Sequence, residues 1–331
     1  MESDEWTRIF GKELRGIFEG LEVDFEKLQE VRLRVGQPVC LWYENQEYLV
    51  GGDGRLGQAG GRERSDRAGR FEPRTVTDRE LRETVECMGN YSLYAFEEEI
   101  RQGFLTVRGG HRVGLAGKVV MEEGRIKTIR HISGVNIRFA HQVKGCGAAV
   151  LPSLLENGRL LHSLLISPPR GGKTTLLRDL VRLLSDGADG RPGINVSVID
   201  ERSEIAACCQ GIPQNDLGAR TDVLDGCPKA LGMMMAIRAL APAAVAVDEI
   251  GGKKDLEAVE YAAGCGCSVL ATVHGSGLEE IRRKPAMKEL IDQGIFRRFV
   301  ILGGGERAGT VKEVLDEKGN LVGKGGDGWS G

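Results

Sequence analysis

One short segment, SPPRGGKTT at residues 167–175, constrains this chain more than any other. It follows an apolar strand-like run, LHSLLIS, and opens an amphipathic helix-like run, GKTTLLRDLVRLLSDG. Glycines followed by a lysine and a hydroxyl residue are typical of a phosphate-binding loop when they join a buried strand to a helix. In such a loop the backbone N–H groups and the helix N-terminus point at phosphate oxygens. We therefore predict that this segment binds the β- and γ-phosphates of ATP.

The residue types of this loop suggest separate roles. Gly172 lets the backbone approach the nucleotide, Lys173 places a charge between the two phosphates, and Thr174 offers a hydroxyl to Mg²⁺. Ser167 stands where the pattern G-x-x-x-x-G-K-[ST] has its first glycine. Serine is small and two prolines stiffen the turn, so we expect the loop to close. The predicted nucleotide-binding residues are Ser167, Pro168, Pro169, Arg170, Gly171, Gly172, Lys173, Thr174 and Thr175.

Two pairs of acidic residues end strand-like runs farther along the chain. Asp248 and Glu249 end AAVAVDE, where ligands of parallel sheets bind. We expect Asp248 to hold Mg²⁺ through water and Glu249 to orient and deprotonate the attacking water. Asp200 and Glu201 end VSVIDE, so either glutamate could be the base. We favour Glu249; Glu201 would instead polarise the water or bind Arg202.

Two further residues are functional candidates. His274 ends the strand-like run SVLATVH, which comes next after Asp248, and we expect it to sense the γ-phosphate. Arg220 lies in the polar loop DLGARTDVLDG and either acts across a subunit boundary or is a solvated loop charge. The methionines of GMMMAIRALA are predicted to belong to the core.

The pattern of strands and helices predicts an α/β protein of two domains. Residues 145–316 alternate strand-like and helix-like runs, which favours a mostly parallel sheet covered on both faces. The pattern of residues 1–144 predicts a smaller α+β domain, with a helix over TDRELRETVECMGN and strands at EVRLRV, PVCLWY and EYLV. Residues 51–70 are rich in Gly and Arg and are expected to be a disordered insertion. Residues 317–331 are expected to be a flexible tail.

Composition excludes several classes of protein. The formal net charge of −3 gives no general attraction to nucleic acid or anionic membranes. We expect neither a signal peptide nor a membrane-spanning helix, and hence an intracellular protein. The spacing of the 8 cysteines resembles neither a disulfide framework nor a zinc site. The five arginines of residues 51–70 have no interleaved aromatics, so we expect no stable nucleic-acid binding.

Taken together, several long segments resemble the stage III sporulation protein AA family of spore-forming Firmicutes. They are VRLRVGQP, SLYAFEEEIRQGFLTVRGGHRVGLAGKV, SPPRGGKTTLLRDL, VSVIDERSEIA, DLGARTDVLDG, MAIRALAP, VAVDEIGG and ATVHG. That family is similar to the ATPases of type II and type IV secretion systems. The resemblance implies a RecA-like core behind the N-terminal domain, assembled as a ring of six. It also implies a Walker A box at residues 167–174, an Asp box around residues 200–204, a Walker B box at residues 245–249 and a His box around His274.

The same resemblance implies partners and a place in the cell. Arg112 and Arg138 of the N-terminal domain become candidates to reach a γ-phosphate in trans. The protein would act in the mother-cell cytoplasm, at the membrane, energising or assembling the channel complex that joins mother cell and forespore. Two other hypotheses stay open: a non-catalytic nucleotide-gated scaffold of that complex, and a DNA-directed ATPase.

Overall fold

The computed structural model describes residues 6–58, 71–89, 97–101, 103–188, 190–305 and 309–324. The chain divides into two compact units, Met1–His141 and Gln142–Gly331, whereas the sequence suggested a boundary after residue 144. Each unit has its own main sheet and its own hydrophobic clusters.

The elements of the first unit are the 3-10 helices Trp6–Ile9 and Phe25–Lys27, α1 (Lys12–Glu19), β1 (Leu28–Arg34), β2 (Cys40–Tyr43), β3 (Gln46–Val50), β4 (Leu56–Gln58), α2 (Asp78–Met88), α3 (Glu97–Arg101), β5 (Phe104–Val107), β6 (His111–Glu122) and β7 (Arg125–Arg138). The strands form a seven-stranded antiparallel sheet of order β4-β3-β2-β1-β7-β6-β5. The cluster of buried residues in this unit joins aromatic side chains of the N-terminal helices to aliphatic side chains of the strands.

The predicted start of α2 is confirmed in atomic detail. The Thr77 hydroxyl accepts a hydrogen bond from the Glu80 N–H at 3.2 Å, and the Glu80 carboxylate accepts one from the Thr77 N–H at 2.8 Å. This reciprocal arrangement satisfies two N–H groups that have no partner within the helix.

The expectation that residues 51–70 form a disordered insertion is wrong for its first part. β4 pairs with β3, and the Gly51 N–H donates to the Arg55 carbonyl at 2.8 Å. These backbone bonds order a segment whose own side chains bury little surface. The Phe71 ring also lies against Gly57, where a Cβ would come within 2.6 Å of the ring. Residues 59–70 lie outside the described part of the chain.

The elements of the second unit are α4 (Leu151–Leu154), β8 (Leu155–Glu156), β9 (Arg159–Leu160), β10 (Ser163–Ser167), α5 (Lys173–Asp186), β11 (Val196–Asp200), β12 (Thr221–Asp225), α6 (Lys229–Ala239), β13 (Ala244–Val247), α7 (Lys253–Gly264), β14 (Ser268–His274), α8 (Leu278–Arg282), α9 (Pro285–Asp292), β15 (Arg298–Leu302), β16 (Val311–Asp316) and β17 (Leu321–Lys324). Its main sheet has eight strands in the order β12-β11-β13-β14-β10-β15-β16-β17. Neighbouring strands in this order are parallel from β12 to β15, and the pairings with β16 and β17 are antiparallel, so the predicted mostly parallel sheet is confirmed.

Helices cover both faces of this second sheet. Successive residues of β10 face opposite sides, so Leu164 and Ile166 join one hydrophobic cluster and Leu165 joins the other. Such strands, buried on both faces, hold their carboxyl ends rigidly at one edge.

Two expectations about the second unit need correction. Met233 is buried, but Met235, on the outer side of α6, is 50 % exposed, so the methionine-rich stretch is core on one side only. Residues 317–331 were expected to be a flexible tail, yet β17 pairs with β16 through Val314 and Gly323. A Gly-rich composition did not reveal this strand because its order comes from backbone pairing. Residues 325–331 lie outside the described part.

Candidate functional site

The carboxyl ends of β10, β13 and β14 meet at one edge of the second sheet. Ser167 at the end of β10 lies opposite His274 at the end of β14. Val247 at the end of β13 pairs with Ala271 of β14, so Asp248 and Glu249 emerge beside that histidine. Parallel pairing therefore brings the phosphate-loop sequence, the acidic pair and the histidine together.

The loop between β10 and α5 has the backbone geometry of an anion-binding turn. Gly172 adopts φ 87° and ψ 11°, a left-handed conformation that favours glycine, and the helix starts at Lys173. Arg170 is also left-handed, with φ 59°. The first N–H groups of an α-helix have no acceptor within the helix, so those of α5 are suited to bind an anion.

Ser167 fits this loop because residue 171 is glycine. The serine is buried, and its hydroxyl donates to the Pro168 carbonyl at 2.8 Å. A Cβ on Gly171 would lie 2.1 Å from Ser167 Oγ and 2.7 Å from the Gly303 carbonyl oxygen. The Gly171 N–H also donates to the Pro168 carbonyl at 3.1 Å, which closes the turn.

Lys173 is buried and points at the acidic pair. Only 7 % of the residue is exposed, and its Nζ donates to Glu249 Oε1 at 2.8 Å. His274 Nε2 lies 2.8 Å from the same oxygen and 3.3 Å from the lysine nitrogen. Three predicted catalytic residues, Lys173, Glu249 and His274, thus form one cluster.

The protonation of Glu249 follows from this cluster. Partial burial opposes ionisation, but hydrogen bonds and charge from Lys173, and after it His274, outweigh burial and lower the pKa of the carboxyl group. Glu249 also has φ 56°, a left-handed conformation that is uncommon for a residue other than glycine. Strained backbone of this kind is found at functional sites more often than elsewhere.

The two predicted magnesium ligands are in direct contact. The Thr174 hydroxyl donates to Asp248 Oδ2 at 2.7 Å. Fully buried Thr272, on β14, donates its hydroxyl to the other oxygen of Asp248 and accepts a hydrogen bond from the Glu249 N–H at 2.9 Å. Sequence reasoning missed Thr272, which lies two residues before His274 on the strand beside β13.

The second acidic pair does not have the arrangement that the sequence suggested. The side chain of Glu201 pairs with Lys229 of α6. Arg202 was considered a partner of Glu201, but its Nη1 instead donates to Glu249 Oε2 at 3.0 Å. Asp200 is buried and accepts hydrogen bonds from three successive N–H groups, those of Glu204, Ile205 and Ala206, so its role here is to shape the turn.

The three candidate trans arginines have contacts of their own. Arg112 and Arg138 lie opposite each other on β6 and β7 of the first unit. The Arg112 guanidinium lies 3.7 Å from the centre of the Phe104 ring, and Arg138 is 3.6 Å from the Glu30 carboxylate. Arg220 donates to the Ser185 carbonyl at 3.1 Å. The trans roles of these arginines stay predictions.

The donor set fits Mg²⁺ bound together with a nucleotide. Among the residues that the structure describes, no group of three or more His, Cys, Asp or Glu side chains could hold a metal alone. Mg²⁺ commonly uses one or two protein oxygens and completes its shell with phosphates and water. Thr174 and Asp248 offer such oxygens beside the loop. A cavity of about 10 Å³, close to the size of one water molecule, is lined in part by Asp248, Glu249 and Arg202.

Comparison with known sequences gives clear matches. A family model described as "Sporulation stage III, protein AA" matches residues 2–322. Stage III sporulation protein AA of Bacillus subtilis (strain 168) is 40 % identical over 301 residues, which cover 91 % of each chain.

No helix in the described residues is both long and apolar enough to cross a membrane.

Comparison with solved structures identifies the fold. The pilus retraction motor PilT with bound ADP has a TM-score of 0.52 at 15 % identity, covering 82 % of this chain and 73 % of that chain. The ATPase DotB of Yersinia pseudotuberculosis has a TM-score of 0.50 at 14 % identity, covering 90 % of this chain and 74 % of that chain. The fold is that of the RecA-like secretion ATPases, as the sequence resemblance implied.

Proposed function

This chain belongs to the sporulation stage III protein AA family, and we propose that it binds and hydrolyses ATP as a motor of the secretion-ATPase type. Its work would be to energise or assemble the channel complex between mother cell and forespore. The proposed products are ADP and phosphate.

One observation carries the proposal: the phosphate loop contacts the acidic pair at two points. Lys173 bonds Glu249, and the adjacent Thr174 bonds Asp248. A buried lysine costs free energy unless its charge is used, and here it lies at the end of a loop suited to anions. A purely structural loop would not need two consecutive residues aimed at two consecutive carboxylates.

The cluster supports a specific sequence of contacts. Lys173 would leave Glu249 and bind between the β- and γ-phosphates. Once the charged lysine has moved away from Glu249, the pKa of the Glu249 carboxyl group would rise toward its ordinary value, which makes the carboxylate a better base. Glu249 would then orient and deprotonate a water molecule, and His274, at the same oxygen, would sense the γ-phosphate. Glu201 is a poorer candidate for the base because Lys229 engages its carboxylate.

Mg²⁺ would neutralise charge on the phosphates, and the chain would hold it through Thr174 and, through water, Asp248. The Thr174–Asp248 bond shows that the two side chains converge on one place. Residues 167–175 would supply the remaining phosphate contacts through their backbone.

A phosphate-release assay with purified protein tests the proposal. Lys173→Ala should lose ATP binding and turnover together, whereas Glu249→Gln should bind ATP and lose turnover by at least about a hundredfold. Lys288→Ala, which removes an exposed ion pair with Asp292 on α9, is the matched control and should behave as wild type. Equal rates in all four proteins would contradict an ATPase. Tight binding without turnover, even with partners, would favour the scaffold hypothesis.

Assembly and location are further parts of the proposal. We propose a homo-hexameric ring in which Arg112, Arg138 or Arg220 reaches a nucleotide of the adjacent subunit. The protein would be cytoplasmic in the mother cell and attached to membrane proteins of the channel complex. Size measurement by light scattering with and without ATP and Mg²⁺ tests the ring. Salt-dependent DNA binding that disappears on deletion of residues 59–70 would instead support a DNA-directed ATPase.

A further inference from the structure

We infer that Arg202 is a positioning residue that keeps the Glu249 carboxylate aligned when Lys173 turns to a nucleotide. The inference rests on the proposed ATPase function but concerns a residue to which the loop, the acidic pair and the histidine assign no role. Arg202 Nη1 donates a hydrogen bond to Glu249 Oε2 at 3.0 Å.

The two oxygens of Glu249 have different partners. Oε1 contacts both Lys173 and His274, each at 2.8 Å, whereas the contact to Oε2 comes from Arg202. When Lys173 moves to phosphate, Oε1 loses a donor and becomes available to a water proton. The contact at Oε2 can persist, so the guanidinium fixes the rotation of the carboxylate at that moment.

A rigid turn presents Arg202 to the cleft. The buried Asp200 side chain accepts hydrogen bonds of 2.8–2.9 Å from the N–H groups of Glu204, Ile205 and Ala206. Ser203 has φ 52°, and its hydroxyl bonds Asp225 of the neighbouring strand. The turn therefore sends the side chain of Glu201 to Lys229 and that of Arg202 to Glu249.

The same turn is tied to the phosphate-loop helix. Arg178, on α5, donates through Nε to the Ile205 carbonyl and through Nη2 to the Glu204 carbonyl, both at 2.7 Å. α5 begins at Lys173, so the helix that carries the phosphate-binding lysine also supports the turn that carries Arg202. The contacts of Arg178 and Arg202 therefore link the orientation of the Glu249 carboxylate to the position of the phosphate loop.

The experiment compares wild type with Arg202→Ala, Arg202→Lys and Arg297→Ala. Arg297 makes an ion pair with Glu156 at 3.0 Å, outside the cleft in the same unit, and is the matched control. Arg202→Ala should lower kcat about tenfold or more, because a misaligned base loses part of its contribution. The Kd for ATP with Mg²⁺ should change less than about twofold. Arg202→Lys should recover part of the loss, since it restores the charge without the planar fork, and Arg297→Ala should match wild type.

A second measurement does not depend on turnover. The ¹³C chemical shift of the Glu249 carboxyl carbon, assigned through Glu249→Gln, is recorded at neutral pH without nucleotide. The signal should move in Arg202→Ala, because the hydrogen bond to Oε2 is lost, and it should stay unchanged in Arg297→Ala. An unchanged chemical shift or a wild-type kcat in Arg202→Ala would overturn the inference. So would a loss confined to ATP affinity. Absence of turnover in wild type would refute the proposed function, with the NMR result still deciding the contact.

Discussion

The Thr272 hydroxyl donates a hydrogen bond to the Asp248 carboxylate and accepts one from the next residue's N–H at 2.9 Å. One buried hydroxyl on β14 therefore fixes the side chain of the proposed magnesium ligand and the backbone of the proposed base. Replacing a residue that hydrogen-bonds a metal ligand commonly lowers metal affinity or activity by about 10- to 100-fold.

We predict that Thr272→Val, which keeps the shape and removes the hydroxyl, raises the Mg²⁺ concentration needed for half-maximal phosphate release by about tenfold. Thr272→Ser should stay close to wild type because the hydroxyl remains. A magnesium titration of the steady-state rate measures both. Identical magnesium dependence of Thr272→Val and wild type would show that the hydroxyl only fills space.

Gly171→Ala should disrupt the phosphate loop. The new Cβ would lie 2.1 Å from Ser167 Oγ and 2.7 Å from the Gly303 carbonyl oxygen, so the backbone must move. We expect the affinity for ATP to fall by at least about tenfold, because the N–H groups of the loop would no longer point at the phosphate oxygens. Gly264→Ala is the control because its added Cβ would meet nothing within 4 Å beyond the adjacent residues and backbone of its own helix. Calorimetry measures the Kd for ATP of both variants. An unchanged affinity in Gly171→Ala would show that ATP binding does not need this loop geometry.

Asp179 of α5 is predicted to matter for stability. It is fully buried and accepts hydrogen bonds from the Gly147 N–H at 2.7 Å and from Arg182 at 2.7 and 3.0 Å. Asp179→Ala should lower the free energy of unfolding by about 3 kcal/mol, because a buried N–H and a guanidinium lose their acceptor. Asp292→Ala removes an exposed pair and should cost less than about 1 kcal/mol. Urea unfolding followed by circular dichroism measures both, and equal midpoints would contradict the prediction.

His111 should make the first unit sensitive to acid. Burial, and after it the nearby His141, lowers the pKa of His111 to about 4, whereas an unfolded histidine titrates near pH 6.5. The unfolded chain binds the proton more readily, so this stability is complete above about pH 6.5 and is lost as pH falls toward 4. The loss should reach about 3 kcal/mol.

Replacing His111 with Gln should flatten this part of the stability curve. Exposed His131→Asn serves as the control and should keep the wild-type slope between pH 6.5 and 4. Urea denaturation at several pH values measures the slopes. The attribution to His111 fails if the Gln variant loses stability with the same slope as wild type.

Much of the second unit could be predicted from sequence because its geometry follows from one rule. Parallel strands end at the same edge of a sheet, so residues that end strand-like runs, such as Asp248 and His274, had to meet near Lys173. The partner of Glu201 was not predictable, since it depends on how α6 packs and where Lys229 lies. Thr272 was missed because it sits inside a strand, where threonine is ordinary.

The predictions that were wrong concern segments that are ordered by pairing with a neighbouring strand. β4 and β17 are short and Gly-containing, so local composition suggested disorder, yet pairing with β3 and β16 orders them. The N-terminal helical segment divides before Lys12 into the 3-10 helix Trp6–Ile9 and α1. At that break a Cβ on Gly11 would lie 2.9 Å from Glu83 of α2, a contact that no local pattern shows.

Calorimetric titration of wild type and Lys173→Ala with ATP and Mg²⁺ is the sharpest test of a nucleotide site at this loop. We predict saturable binding to wild type and at least about a hundredfold weaker binding to the variant, because the lysine's charge-assisted contacts to two phosphates are lost. Absence of any binding to wild type, or equal affinities in both proteins, would contradict a nucleotide site at this edge of the sheet.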